Sequence, residues 1–168
     1  MSRGWRALVG VMAVGVLLSG CSGAGALQSA DGEGITVCTP QDALGRVIFG
    51  VSFLQNTSSR SVMVTDMELV DAEGLVLIGG LVLDLDDPMA HYVGNEWETR
   101  GPGPVTNTEV QPGARKALTV GLQAQESGGS ARAVRIAYLD QHRRHTVDTR
   151  IEMVVVPAGG KCHLTTDS

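Results

Sequence analysis

Apolar and polar side chains alternate through most of the chain after Ile35, and a period of two is typical of β-strands that bury one face. No long window shows the 3.6-residue period of an amphipathic helix. Turn-forming residues separate the alternating segments at intervals typical of a sandwich. The pattern predicts an all-β, immunoglobulin-like β-sandwich of about seven strands, near residues 35–38, 47–53, 63–69, 75–85, 118–122, 134–138 and 147–155.

The alternation also predicts which side chains face the core. In the first long strand these are Val47, Phe49, Val51 and Phe53; in the next, Met63, Thr65, Met67 and Leu69 share one face. Residues 71–74 predict a hairpin turn into the following strand, which bends at Gly79-Gly80.

The first twenty residues have the pattern of an export signal. Arg3 and Arg6 precede a run of twelve apolar or glycine residues, 7–18. A membrane-spanning helix needs about 20 apolar residues, so this run has the length of a signal-peptide core instead. The segment predicts that the rest of the chain is exported.

The export signal ends in Leu18-Ser19-Gly20-Cys21, which resembles the lipobox of bacterial lipoproteins. In that family the cysteine sulfur receives a diacylglyceryl group and the leader is cut just before it. The resemblance implies a leader over 1–20 and a lipidated Cys21. The small and polar composition of residues 21–34 predicts a flexible tether, and the alternating pattern that follows predicts a domain over 35–168. The expected location is the extracytoplasmic face of the cell membrane, held by the lipid. An ordinary secretory signal with a bystander cysteine is the alternative.

Two further cysteines, Cys38 and Cys162, remain for the exported part of the chain. Thiols on the oxidising side of a membrane form disulfides, so we expect these two to pair. Cys38 precedes the first long strand and Cys162 follows the last, and such strands lie side by side in a sandwich. The expected bridge therefore joins the two ends of the domain. Two free buried cysteines are the alternative.

The charge of the chain excludes some partners. With 13 basic and 18 acidic side chains the net charge is −5, so no positive field attracts nucleic acid. The sequence contains no Gly-x-Ser-x-Gly elbow, His-Glu-x-x-His helix or phosphate loop. We therefore expect a non-catalytic protein without a cofactor that binds another envelope protein. An unrecognised hydrolase assembled from distant residues is a further alternative.

The long irregular segment 86–104 is the candidate binding loop. It contains His91, Tyr92, Trp97 and Arg100. Exposed aromatic side chains there could anchor a protein partner or stack on a sugar. The alternative is that Trp97 folds back to close the open end of the sandwich, with Arg100 in a salt bridge nearby.

Metal or small-ligand carriage is the second functional hypothesis. His142 and His145 flank an expected final hairpin turn, and with His163 they are weak candidates for copper or zinc ligands. A blue-copper site requires one cysteine, two histidines and usually a methionine close together late in the chain, but no second histidine or methionine follows Cys162-His163. Three aspartates offer oxygen ligands for calcium but lack the order of a calcium loop: Asp84, Asp86 and Asp87.

Taken together, the chain resembles a group of small actinobacterial lipoproteins with an immunoglobulin-like domain. The resemblance rests on the lipobox, the strand from Val47 to Asn56, the segment 64–69, Val93-Gly94 with Trp97, Pro112-Gly113, Tyr138 and the late Cys162. It implies no catalytic residues, because that group carries none that are known.

Overall fold

The computed structural model describes residues 25–32, 34–105 and 107–163, with no description of the Val51 side chain. The predicted leader and Cys21 lie outside these residues. The described part contains twelve strands: β1 (Leu27–Ser29), β2 (Ile35–Pro40), β3 (Arg46–Asn56), β4 (Val62–Val70), β5 (Leu75–Leu83), β6 (Val93–Gly94), β7 (Thr108–Val110), β8 (Arg115–Ala124), β9 (Gly129–Ala131), β10 (Ala133–Asp140), β11 (Arg143–Asp148) and β12 (Ile151–Val156). A 3₁₀ turn (Pro88–His91) and one short helix, α1 (Trp97–Arg100), complete it.

The strands form two large antiparallel sheets and one small sheet. The first sheet has the order β1-β3-β8-β5, with β6 paired to β3; the second has the order β11-β10-β4-β7. Apolar side chains from both sheets share one core, which includes Phe49, Leu122 and Ile136. The predicted all-β sandwich is therefore confirmed, and the five strands not predicted are short or belong to hairpins. Within the described residues no helix is long and apolar enough to cross a bilayer.

Bulges correct two of the predicted strand faces. In β3 the pairing with β8 shifts between Phe49 and Ser52, so the inward face changes and Leu54 enters the core while Phe53 lies half-buried outside it. In β4 the pairing with β10 shifts at Thr65, which is left without a partner in the ladder. Before this bulge Val62 and Val64 face the core, in place of the predicted Met63 and Thr65. A bulge inserts one residue into a period of two, and every later side chain then changes face.

The connection over residues 71–74 is not a hairpin turn, contrary to the prediction. It leads from β4 in the second sheet to β5 in the first, and the two strands do not pair. β5 pairs with β8 instead, through a bulge between Leu77 and Gly79. A short polar turn with a glycine suits either connection, and the packing of the two sheets decides between them.

The third sheet joins the two ends of the domain. β2 and β12 run parallel, with Cys38 opposite Val154. Cys38 and Cys162 form a disulfide with their Cα atoms 5.8 Å apart, which confirms the predicted pair. The predicted last strand is two strands, because Thr149 and Arg150 separate β11 from β12.

The predicted tether over 21–34 is wrong for its second half. Leu27 is 2% exposed in the core, and β1 pairs with the end of β3. Asp31 then fastens the segment, because its carboxylate accepts hydrogen bonds from the Ser29 hydroxyl (2.8 Å), the Phe53 N–H (2.6 Å) and the Arg150 N–H (3.3 Å). One buried leucine and one satisfied carboxylate hold an otherwise tether-like composition in place.

Candidate functional site

Residues 86–105, here called the cover segment, lie across the outer face of the first sheet. The three main strands of that sheet, β3, β8 and β5, each donate a hydrogen bond to the segment. In β3 the Gly50 N–H donates to Tyr92 O (2.7 Å), and in β8 the Thr119 hydroxyl donates to Met89 O (2.8 Å). In β5 the Gly80 N–H donates to Gly103 O (3.0 Å). The segment is thus part of the folded structure rather than a free loop.

Glycines let the cover segment approach the sheet. A Cβ added at Gly50 would collide with Met89 O, and one at Gly79 would collide with Pro102 O. At Gly121 it would lie 2.6 Å from the Trp97 ring. Glycine in the middle of a strand often marks such a close approach of another backbone or ring.

The four candidate binding residues are engaged within this segment. Trp97 is half-buried over Gly121, with the Arg46 guanidinium 5.6 Å from its ring centroid. Arg100 lies 4.8 Å from the half-buried Tyr92 ring and forms a 3.1 Å salt bridge with Glu96. The His91 ring is exposed, 3.1 Å from Leu85 O. Trp97 thus folds back on the outer face of a sheet rather than on the end of the sandwich.

The predicted metal candidates do not come together. His142 occupies a turn with φ of 69°, His145 stacks on Tyr138 at 5.4 Å, and His163 is exposed beyond the disulfide. Asp84 pairs with Lys116, and Asp87 caps the 3₁₀ turn through the Met89 N–H. Within the described ranges, no group of three or more His, Cys, Asp or Glu side chains is placed to hold a metal ion.

Asn56, in the sequence Asn-Thr-Ser, has a structural role. Its side chain is fully buried, and its amide nitrogen donates to Arg60 O (2.7 Å) and Val110 O (2.9 Å). These bonds join the end of β3 to β7 and to the turn before β4.

A cavity of about 460 Å³ opens at the other end of β3, between the loop 41–45, the turn after β8 and the start of the C-terminal segment. Gln41 lines it and is only 6% exposed. Its amide nitrogen donates to Glu126 O (3.2 Å), while its Oε1 has no hydrogen-bond partner in the structure described. The cavity is open, and its charged lining residues are Asp42 and Glu126.

Arg46 organises the charges beside this cavity. Burial alone would raise the pKa of Asp42, but hydrogen bonds from the Arg46 backbone, the Arg46 side chain and the Leu44 N–H outweigh it, and the pKa lies below its ordinary value. A hydrogen bond to Glu98 (2.7 Å) raises the pKa of Arg46 further. The network ties the start of β3 to α1 and so holds Trp97 in position.

Two exposed apolar side chains flank Gln123, which lines the cavity, and we call them the distal patch: Leu44 (64% exposed), which also lines the cavity, and Val76 (62%). Gln123 connects them, because it is opposite Val76 in the sheet and its amide donates to Leu44 O (2.6 Å). This patch is not among the sites predicted from the sequence. The absence of charged residues from β5 was the available signal, but the bond that places Leu44 beside Gln123 depends on the fold.

Comparisons with known proteins do not assign the chain to a family. No protein-family model matches the sequence, and no curated protein matches it significantly. Among solved structures, the chain is similar to the human CEP192 PapD-like domain 7, with 10% identity, a TM-score of 0.42 and coverage of 89% of this chain and 99% of that domain. It is also similar to a family 123 glycoside hydrolase from Clostridium perfringens, with 9% identity and a TM-score of 0.31. That likeness covers 79% of this chain but only 28% of the hydrolase.

Proposed function

We propose that this protein is a lipid-anchored, non-catalytic binding module on the extracytoplasmic face of the cell membrane. The lipobox-like sequence at Cys21 and the single disulfide support the location and the anchor. Its expected partner is another protein of the envelope, and neither nucleic acid nor a cofactor is required.

One observation carries the binding part of the proposal: the chain enters the domain at the end opposite the distal patch. Ala26 O accepts a hydrogen bond from the Thr57 N–H at the end of β3, whereas Leu44 precedes the start of β3. An eleven-residue strand is about 35 Å long, so the patch faces away from the anchored end.

The docking of β1 also fixes how far the domain stands from its anchor. Only residues 22–26 separate Cys21 from β1, and six residue steps span at most about 21 Å. The anchored end is therefore held near the lipid surface, and the opposite end is presented to partners beyond it.

Fractionation of cells that express the full chain tests the anchor. We expect the protein in the membrane fraction, released by detergent and cleaved by external protease, with a diacylglyceryl mass on Cys21. Cys21→Ala should move it to the soluble extracytoplasmic fraction, while the neighbouring Ser22→Ala should not. An unmodified Cys21 sulfur, or wild-type protein in the cytosol, would contradict the proposal.

A further inference from the structure

The distal patch contains the two most exposed large hydrophobic side chains in the described part of the chain, Leu44 and Val76. The other four well-exposed large hydrophobic residues there are Ile35, Ile78, Leu85 and Leu139. Isolated exposed apolar residues are ordinary, but a group next to an open cavity is typical of a protein contact.

The patch is held in a fixed arrangement. The Gln123 amide bonds to Leu44 O, and Gly45 adopts a φ of +79° that turns the loop back onto β8, where its carbonyl accepts from the Ala124 N–H (2.7 Å). A preformed surface loses little conformational entropy when a partner binds.

Carboxylates surround the patch. Glu126 lines the cavity, Glu98 is 81% exposed beside Arg46, and Glu73 is exposed two residues before β5. Asp42, next to Leu44, is the fourth. Arg46 is paired with two of these four groups, so the rim keeps a negative charge.

We infer that the distal patch binds an envelope protein whose contact surface has apolar side chains flanked by Arg or Lys. This inference rests on the proposed function and names the site and the chemistry of the partner. Two other occupants are disfavoured by charge. A second copy bound through the same patch would place one acidic rim against another, and anionic lipid headgroups would meet the same repulsion.

Site-directed photo-crosslinking in cells tests the inference with the full, anchored chain. A photo-reactive amino acid replaces Val76 in one variant and Thr146, an exposed residue on edge strand β11, in the control. We expect an adduct with another protein from position 76 and none from position 146. Mass spectrometry of the adduct should find Arg or Lys beside the cross-linked site.

Charge variants give the decisive readout. Ser127 is exposed in the same turn as Glu126, and Ser59 is exposed in a turn at the opposite end. We expect Ser127→Arg to reduce the position-76 adduct at least fivefold through repulsion of a basic partner, whereas Ser127→Glu and Ser59→Arg preserve it.

The remaining outcomes overturn the inference. An adduct with a second copy of the chain or with lipid only would each do so. So would a protein adduct whose yield is the same whichever charge is placed at position 127. An adduct at position 146 but not 76 would leave a binding module with its site elsewhere. No adduct at either position, in cells where the chain is membrane-bound, would refute the binding part of the proposed function as well and leave only the anchor.

Discussion

The outer faces of the two large sheets are built from different side chains, although both sheets contribute to one core. On the first sheet the outward positions of the three main strands include Gly50, Gly79 and Gly121, and the cover segment lies on them. On the second sheet the outward positions carry charges and remain open to solvent.

Cross-strand ion pairs line that second face. Arg135 bonds to Asp148 (2.8 Å) on the neighbouring strand and lies 3.6 Å from Glu68 on the other, and Arg144 lies 3.5 Å from Asp66. The hydrogen bond from Arg135 lowers the pKa of Asp148, against an opposing effect of desolvation. Exposed pairs of this kind contribute little stability, because water and salt screen the charges.

The comparison shows that the type of residue at the outward positions of a strand indicates whether another part of the chain or solvent covers that face. A glycine there gives up side-chain packing and backbone rigidity, which is tolerated when another part of the chain fills the space. A charged residue there requires water. The same alternation of apolar inward positions therefore supports a three-layered region and a two-layered one in a single sandwich.

Removal of the disulfide, which lies on neither of the two faces, should reduce the free energy of unfolding more than any other change considered. We expect the Cys38→Ser, Cys162→Ser variant to lose about 5 kcal/mol of unfolding free energy, since the bridge closes a sequence separation of 124 residues. Denaturant unfolding of oxidised and variant protein measures it. Equal stability of the two forms would show that the third sheet holds the chain ends without the bond.

Filling a glycine of the covered face should come next. We expect Gly50→Val to cost about 3 kcal/mol, because the added carbons must displace the backbone of the cover segment. Tryptophan fluorescence in a Trp5→Phe background, where Trp97 is the single tryptophan, should shift to the red. The matched change on the open face, Thr146→Val, should stay within about 0.5 kcal/mol; an equal loss there would remove the contrast.

Truncating Trp97 separates packing from binding. Trp97→Ala should cost about 2 kcal/mol, because the half-buried ring fills the space over Gly121 and stacks with Arg46. Calorimetric melting measures this loss. If the variant kept full stability but lost the adduct at position 76, the indole would be a binding residue instead of a packing one.

Protonation of Asp148 on the open face at low pH should change stability least. The pKa of Asp148 is lowered in the folded protein, so its contribution is present above the ordinary value of 3.8 and is lost as the pH falls through the lower folded value. Arg135→Gln should flatten the pH dependence of the melting temperature below pH 5. Arg100→Gln, which removes one positive charge from the cover segment on the other sheet, provides the control, and an unchanged profile in Arg135→Gln would contradict the assignment.

Much of the sandwich could be predicted from alternation alone, because a strand with one buried face needs an apolar residue at every second position. The disulfide followed from two cysteines and from the expectation that the chain is exported to an oxidising compartment. The sites were less accessible to sequence reasoning. Tyr92 and Trp97 stood out as loop aromatics, but nothing in their own segment indicates the glycines of three separate strands on which the cover segment lies.

By itself the sequence determined the class of fold, the core positions between bulges and the pairing of Cys38 with Cys162. Tertiary structure alone decided which strands pair, where β3 and β4 change face, and that Leu27 and Asp31 belong to the domain. It also placed both Leu44 and Val76 beside Gln123. The physical reason is that alternation specifies only one face of each strand, whereas strand order and the contacts of the other face depend on how the sheets pack together.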